Sequence, residues 1–222
     1  MTRSAPRANS TLACVLLAAG GSRRFGRPKQ LARYRGRPLL AHALEAARGA
    51  LPRARLIVVL GPEALRLMLV VRRMRCGARI VTNPNWKRGM ATSLLAGLAA
   101  VPRRAQAALV LLVDQPRIDA AALQRLVVAW RRRPGVPAAA RYAERAGVPA
   151  VLPRRQWREV RALRGDEGAR ALLRDRHVTL VDMPEAALDV DTPEDLLGLR
   201  AGPSGSVTTV AAELTQPVPP LA

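Results

Sequence analysis

A chain of 222 residues that is 49% apolar is long enough to bury a sizeable core and too apolar to stay disordered. Its net charge of +21 is extreme, but the arginines are spread along the whole length and aromatic residues make up only 3%. Single-stranded bases would find little to stack on, which argues against nucleic acid as the partner. Two cysteines, Cys14 and Cys76, exclude a disulfide framework, and no CxxC spacing offers a zinc site. No apolar run approaches the ~20 residues of a membrane-spanning helix. The polar, basic start leads into no secretory segment, so the cytoplasm is the expected location.

Taken in chain order, the elements alternate between strand and helix. Residues 1–11 are expected to be a disordered tail. Leu12–Ala18 is a continuous apolar run that stops at Gly20-Gly21, the pattern of a buried parallel strand. Pro38–Ala50 has helical spacing, with Leu39, Leu40, Ala43, Leu44 and Ala47 on one side. Arg55–Leu60 reads as a strand ended by Gly61-Pro62. Glu63–Arg73 is a helix with arginines at its end, as the helix dipole favours. Ala78–Thr82 is a short strand and Ala91–Ala100 a helix. Ala107–Val113 is the most apolar strand of the chain, and Asp114 follows it directly.

Asp119–Arg132 is helical, with Asp119 as N-cap. Val136–Tyr142 and Val148–Leu152 read as strands around a turn at Gly147. Gln156–Leu163 and Glu167–Arg174 read as helices and Val178–Val181 as a last strand. Thr192-Pro193-Glu194-Asp195 opens a final helix, threonine at the N-cap and proline after it. Residues 201–222, rich in Gly, Pro, Ser and Thr, are expected to be a second disordered tail. Alternation of this kind predicts a three-layer α/β/α fold on a mainly parallel sheet, one Rossmann-like domain over residues 12–200. Ligands of such sheets bind at the carboxyl ends of the strands, where the glycine loop and Asp114 fall.

The segment Leu17-Ala18-Ala19-Gly20-Gly21-Ser22-Arg23-Arg24-Phe25-Gly26-Arg27-Pro28-Lys29 follows a buried strand. Glycines let a backbone approach a phosphate and aim N–H groups at it. Arg24 and Lys29 add positive charge to the same place. Lys29 stands out because only it and Lys87 are lysine among the 37 basic residues. A compact ammonium suits phosphate oxygens. No Gly-Lys-Ser/Thr closes the loop and it is not GxGxxG, so it is neither a Walker loop nor a dinucleotide fingerprint. Asp114 is costly after an apolar strand unless solvated or bound to a cation, and magnesium takes such oxygens together with substrate phosphates. The plainer alternative, an aspartate capping a turn before Pro116, carries less weight than the metal role. Asp191, and after it Asp189, are candidates to complete a metal site, although Asp-Thr-Pro-Glu-Asp is also a good helix start. His42 and His177 are not at metal-ligand spacing, and Trp130 and Trp157 read as packing residues.

Leu17-Ala18-Ala19-Gly20-x-Ser22-x-Arg24-Phe25-Gly26-x-x-Lys29 resembles the signature of nucleotidyltransferases that activate sugars, isoprenoid precursors and molybdopterin. It is most similar to the molybdenum cofactor cytidylyltransferase branch, with Phe25 where methionine is usual. Three more segments resemble that branch in colinear order. They are Asn83-Pro84-x-Trp86-x-x-Gly89-Met90-x-x-Ser93-Leu94-x-x-Gly97, Val113-Asp114-Gln115-Pro116, and Gly165-Asp166-x-Gly168-Ala169-Arg170 followed by Asp189-Val190-Asp191-Thr192-Pro193-Glu194-Asp195-Leu196.

The resemblance implies nucleotide binding by Leu17, Ala18, Ala19, Gly20, Gly21, Ser22, Gly89 and Ser93. It implies Mg2+ on Asp114 and Asp191, and Arg24 and Lys29 as the catalytic cations. Gly89, through its N–H, and Ser93, through its hydroxyl, are expected to read the base. The implied reaction is CMP transfer from CTP to molybdopterin, with pyrophosphate released and a molybdoenzyme as possible recipient of the product. GTP as donor, a sugar phosphate as acceptor, or a non-catalytic cofactor chaperone remain alternatives. The family's Gly-His/Arg-Pro is Gly147-Val148-Pro149 here, which leaves the acceptor open.

Overall fold

The computed structural model describes residues 11–173 and 177–201. The tails expected at 1–11 and 201–222 lie outside the described residues except for Thr11 and Ala201, as does Arg174. A seven-stranded sheet runs in the order β5-β4-β1-β6-β8-β7-β9. Its members are β1 (Leu12–Ala18), β4 (Arg55–Leu60), β5 (Arg79–Thr82), β6 (Ala107–Leu112), β7 (Ala138–Tyr142), β8 (Arg145–Pro153) and β9 (Thr179–Asp182). All neighbours pair in parallel except β8, which is antiparallel to both β6 and β7. The expected three-layer α/β/α fold on a mainly parallel sheet is therefore present.

Every residue of β1 is buried, and β4 and β6 are nearly so. Strands covered on both faces must be apolar throughout, which is why these three read as continuous runs rather than alternations. Alternate residues feed two cores. Cys14, Leu16 and Ala18 join one with Leu44 and Leu123, while Ala13, Val15 and Leu17 join the other with Leu94 and Leu98. Helices α1 (Leu39–Ala50), α2 (Ala64–Arg73) and α4 (Ala120–Arg132) contribute to the first core, and α3 (Met90–Ala99) to the second. Asp119 caps α4 by accepting from Ala122 N at 2.8 Å, as expected. Trp130 is fully buried, and burial pushes the Cys14 thiol up to about 12, slightly opposed by Arg48. Cys14 is a small apolar core residue here, not a reactive one.

Three expectations need correction. The β7–β8 turn lies at Ala143 and Glu144, both at positive φ, and not at Gly147. Gly147 lies within β8, where a side chain would collide with the Tyr142 hydroxyl. The segments Gln156–Leu163 and Glu167–Arg174 form tighter 3-10 turns, at Arg154–Ala162 and Ala169–Leu173. A small hairpin of β2 (Arg33–Tyr34) and β3 (Arg37–Pro38) stands after the glycine loop, too short to leave a periodic signal.

Many arginines act as staples on loop carbonyls. The Arg48 guanidinium donates to the carbonyls of Leu51, Pro52, Ala54 and Cys76, and Arg154 donates to those of Pro102 and Ala105. Part of the positive charge is thus spent on backbone acceptors at the amino end of the sheet.

Close packing of α3 depends on Gly97, where a Cβ would run into Val15 Cγ1 and Val59 Cγ2 of two central strands. Those valines are fully buried and have nowhere to go. Gly97→Ala should therefore destabilise the protein by about 1–3 kcal/mol. Urea unfolding should show a lowered midpoint at unchanged slope; an unshifted midpoint would contradict this packing.

Candidate functional site

Strands β1, β4 and β6 end side by side, and the segments leaving β1 and β6 border a cleft of about 450 Å3. One wall is the glycine loop, from which Leu17, Ala19, Gly20, Gly21, Ser22, Arg24 and Lys29 face the cleft. The opposite wall comes from the start of α3, with Trp86, Gly89, Met90 and Ser93. Asp114 and Asp191 form the floor, and Asp166 joins from the segment before the second 3-10 turn. Of the expected nucleotide residues only Ala18 does not line the cleft. It is buried at the end of β1, and its carbonyl accepts from Gln30.

The loop is held from within. Ser22 takes a positive φ of 52° and its Oγ accepts from Lys29 N at 3.0 Å. The Ser22 hydroxyl donates to Gln30 Oε1 at 3.3 Å. Gln30, 2% exposed, then donates Nε2 to the carbonyls of Ala18 and Gly20 at 3.1 and 2.8 Å. A buried amide that satisfies two carbonyls of a glycine loop fixes a shape the glycines alone would leave free. The Trp86 ring lies against Gly21, where a Cβ would come within 2.6 Å of it. Gln30 carries no signature in the sequence beyond its place directly after Lys29.

Lys29 is the centre of the site. Its side chain is 11% exposed, and Nζ donates to Asp114 Oδ2 at 2.8 Å, Asp191 Oδ1 at 2.9 Å and the Val190 carbonyl at 3.0 Å. Burial works against the charged form, but Asp114 and then Asp191 outweigh it and hold the ammonium above its usual range. Arg24 donates to the other oxygen of Asp191, Oδ2, at 2.8 Å. With Arg24 72% exposed, that pair adds little stability.

The carboxylates are positioned by backbone. Val190 N donates to the Asp114 carbonyl at 2.8 Å, tying the last segment to the end of β6. Asp195 accepts from the N–H groups of Asp191 and Thr192, and Asp195 N donates to Thr192 Oγ1. This reciprocal cap opens α5 (Pro193–Ala201). The helix start and the placing of Asp191 are one feature, not alternatives. Asp189 keeps contact with solvent, yet the protein crowded around it and the charge of Asp114 push its carboxyl up to about 6. It does not line the cleft with Asp191.

The donor set fits a divalent cation. Asp114 Oδ1 is buried with no hydrogen-bond partner, while Asp114 Oδ2 and Asp191 Oδ1 already converge on one positive charge. Among the described residues no group of three or more His, Cys, Asp or Glu could cage a metal unaided. Magnesium bound through one or two carboxylates, with water and substrate phosphates completing its shell, matches such a set.

On the α3 side, Asn83 Nδ2 donates to Thr92 Oγ1 and to Ser93 Oγ, both at 2.9 Å. Ser93 keeps its own proton to donate. The Gly89 N–H, expected to read the base, donates to the Trp86 carbonyl at 3.1 Å in this structure. What Gly89 supplies is space and a φ of 101°: a side chain would strike the Gly165 carbonyl, which accepts from Ala91 N. Gly89→Ala should cost about 1–3 kcal/mol in strain alone. Hydrogen exchange should show a clear loss of protection at the Ala91 amide, and full protection there would contradict this reading.

Residues 14–181 match the model of the MobA-like NTP transferase domain. A nicotine blue oxidoreductase of Paenarthrobacter nicotinovorans is 37% identical over 200 residues, 83% of this chain and 94% of its own. The crystal structure of Rv0371c from Mycobacterium tuberculosis H37Rv is 32% identical at a TM-score of 0.74, covering 87% of this chain and all of that one. A structure of Rv0371c in complex with manganese is 30% identical at a TM-score of 0.69, over 86% of this chain and 99% of that one. A family match over most of the chain and a solved relative of the same fold agree: the chain is a nucleotidyltransferase of the MobA-like NTP transferase family.

Proposed function

We propose that this protein transfers CMP from CTP to a molybdopterin-type molybdenum cofactor and releases pyrophosphate. The observation that carries the transfer chemistry is the convergence of Lys29, Arg24, Asp114 and Asp191 beside the glycine loop. Arg24 and Lys29 face the triphosphate and offset negative charge as it shifts to the departing pyrophosphate. Leu17, Ala19, Gly20, Gly21 and Ser22 line the nucleotide, the N–H groups of the glycine loop hold its phosphates, and Ser93 donates to the base. Mg2+ held by Asp114 and Asp191 would supply charge neutralisation across the reacting phosphates; that Rv0371c forms a complex with manganese supports the use of a divalent ion. No protein nucleophile is required, since the acceptor phosphate is already an anion and needs only to be positioned. The choice of CTP and of molybdopterin rests on the motif resemblance. GTP as donor is the nearest alternative.

The name of the Paenarthrobacter relative favours a second reading, an oxidoreductase acting on a dye-like substrate. The two readings separate in one experiment. Pyrophosphate should appear with CTP, Mg2+ and molybdenum cofactor, and Lys29→Ala should lower kcat/KM by about 100-fold or more. Consumption of NADH or NADPH with nicotine blue, and no pyrophosphate with any nucleoside triphosphate, would overturn the transferase reading.

Thermal shift resolves the base. With Mg2+, CTP should raise Tm more than GTP, ATP or UTP at equal concentration. A larger shift with GTP would assign guanylyl transfer instead.

A further inference from the structure

The Lys29 ammonium occupies the place between Asp114 and Asp191 where a divalent cation would be held, and it does so with ordinary hydrogen-bond geometry to both carboxylates. One oxygen from each aspartate and the Val190 carbonyl surround Nζ. These are three oxygens of the kind a hard cation takes. An ammonium and a divalent cation cannot share that point, because both are positive and both need the same lone pairs. Without a cation there, two carboxylates would face each other in a largely buried site, which is costly.

We infer that Lys29 is an internal counter-ion that excludes the metal until a triphosphate arrives, so that nucleotide and metal bind together and the metal alone binds poorly. This rests on the transferase reading of the same cleft. Three features of the site support it. Lys29 N is anchored to Ser22 Oγ within the glycine loop, so the root of the side chain is fixed while its four-carbon stem is free to re-aim. The phosphate-facing loop residues and Nζ line one cleft, so the ammonium has phosphate oxygens as its alternative partners. Arg24 remains on Asp191 Oδ2, the oxygen Lys29 does not use, so Asp191 keeps one positive neighbour through the exchange. The device sets an order: nucleotide phosphates draw Lys29 away, and the vacated oxygens then accept the cation.

The test is a titration of Mn2+ into the full chain, read by the electron spin resonance of the free ion. It is run without nucleotide and with the α,β-methylene analogues of CTP and GTP separately. Lys29→Met keeps the stem and removes the charge. The wild type should bind Mn2+ weakly alone and about tenfold or more tightly with a bound analogue. Lys29→Met should bind Mn2+ about tenfold more tightly than wild type without nucleotide, and the added analogue should then help little. Asp114→Asn in the Lys29→Met background should abolish that gain, which locates it in this cleft. Thermal melts in Mn2+ give the same comparison through folding: only Lys29→Met should gain Tm from the metal alone. Equal nucleotide-free affinity in wild type and Lys29→Met, or weaker affinity in the variant, would overturn the exchange. Binding of neither analogue would instead count against the transferase reading.

Discussion

The ion cluster of Lys29 with Asp114 and Asp191 is the constraint around which the rest of this molecule is arranged. Its three members come from three distant stretches of chain: the loop after β1, the end of β6 and the turn before α5. A charge buried to this degree is tolerable only when its partners are fixed. The structure fixes them twice over. Ser22 and Gln30 hold the loop that carries Lys29. The Val190 N–H on the Asp114 carbonyl and the Asp195 cap hold the aspartates. Each of these ties has the backbone at one end at least, so the loop and the two aspartates are placed by the fold itself.

The sheet supplies the frame for this arrangement. β1 lies between β4 and β6, all three parallel, so their carboxyl ends open on one edge. The antiparallel β8 reverses the local direction beside β6 without moving that edge. Glycines at two places let neighbouring layers come close: Gly97 seats α3 on the sheet, and Gly89 lets the Gly165 segment reach the start of the same helix. The large positive charge has a plainer role. Several arginines are consumed by loop carbonyls far from the cleft, so net charge is a poor guide to what this surface binds.

Much of this was legible in the residues. The three buried parallel strands announce themselves as unbroken apolar runs, since a strand covered on both faces has no polar side to show. The placing of the glycine loop and Asp114 at strand ends follows from the same runs. What escaped was local and irregular. The turn of the β7–β8 hairpin falls at Ala143 and Glu144, residues with no turn preference, while Gly147 sits within β8 and leaves room for the Tyr142 hydroxyl. The tight 3-10 turns share the apolar spacing of a helix over so few residues that period cannot separate them.

The sequence by itself determined the layer order, the glycine loop after β1 and the presence of carboxylates where β6 ends and α5 begins, because periodicity and turn chemistry are local properties. Only the tertiary structure decided that Lys29 stands between those carboxylates, that the Gly89 N–H is already used, and that Gln30 secures the loop. These facts depend on which oxygen lies nearest which proton across separations of up to about 160 residues. No local pattern encodes such a distance; packing of the strands that carry both ends sets it.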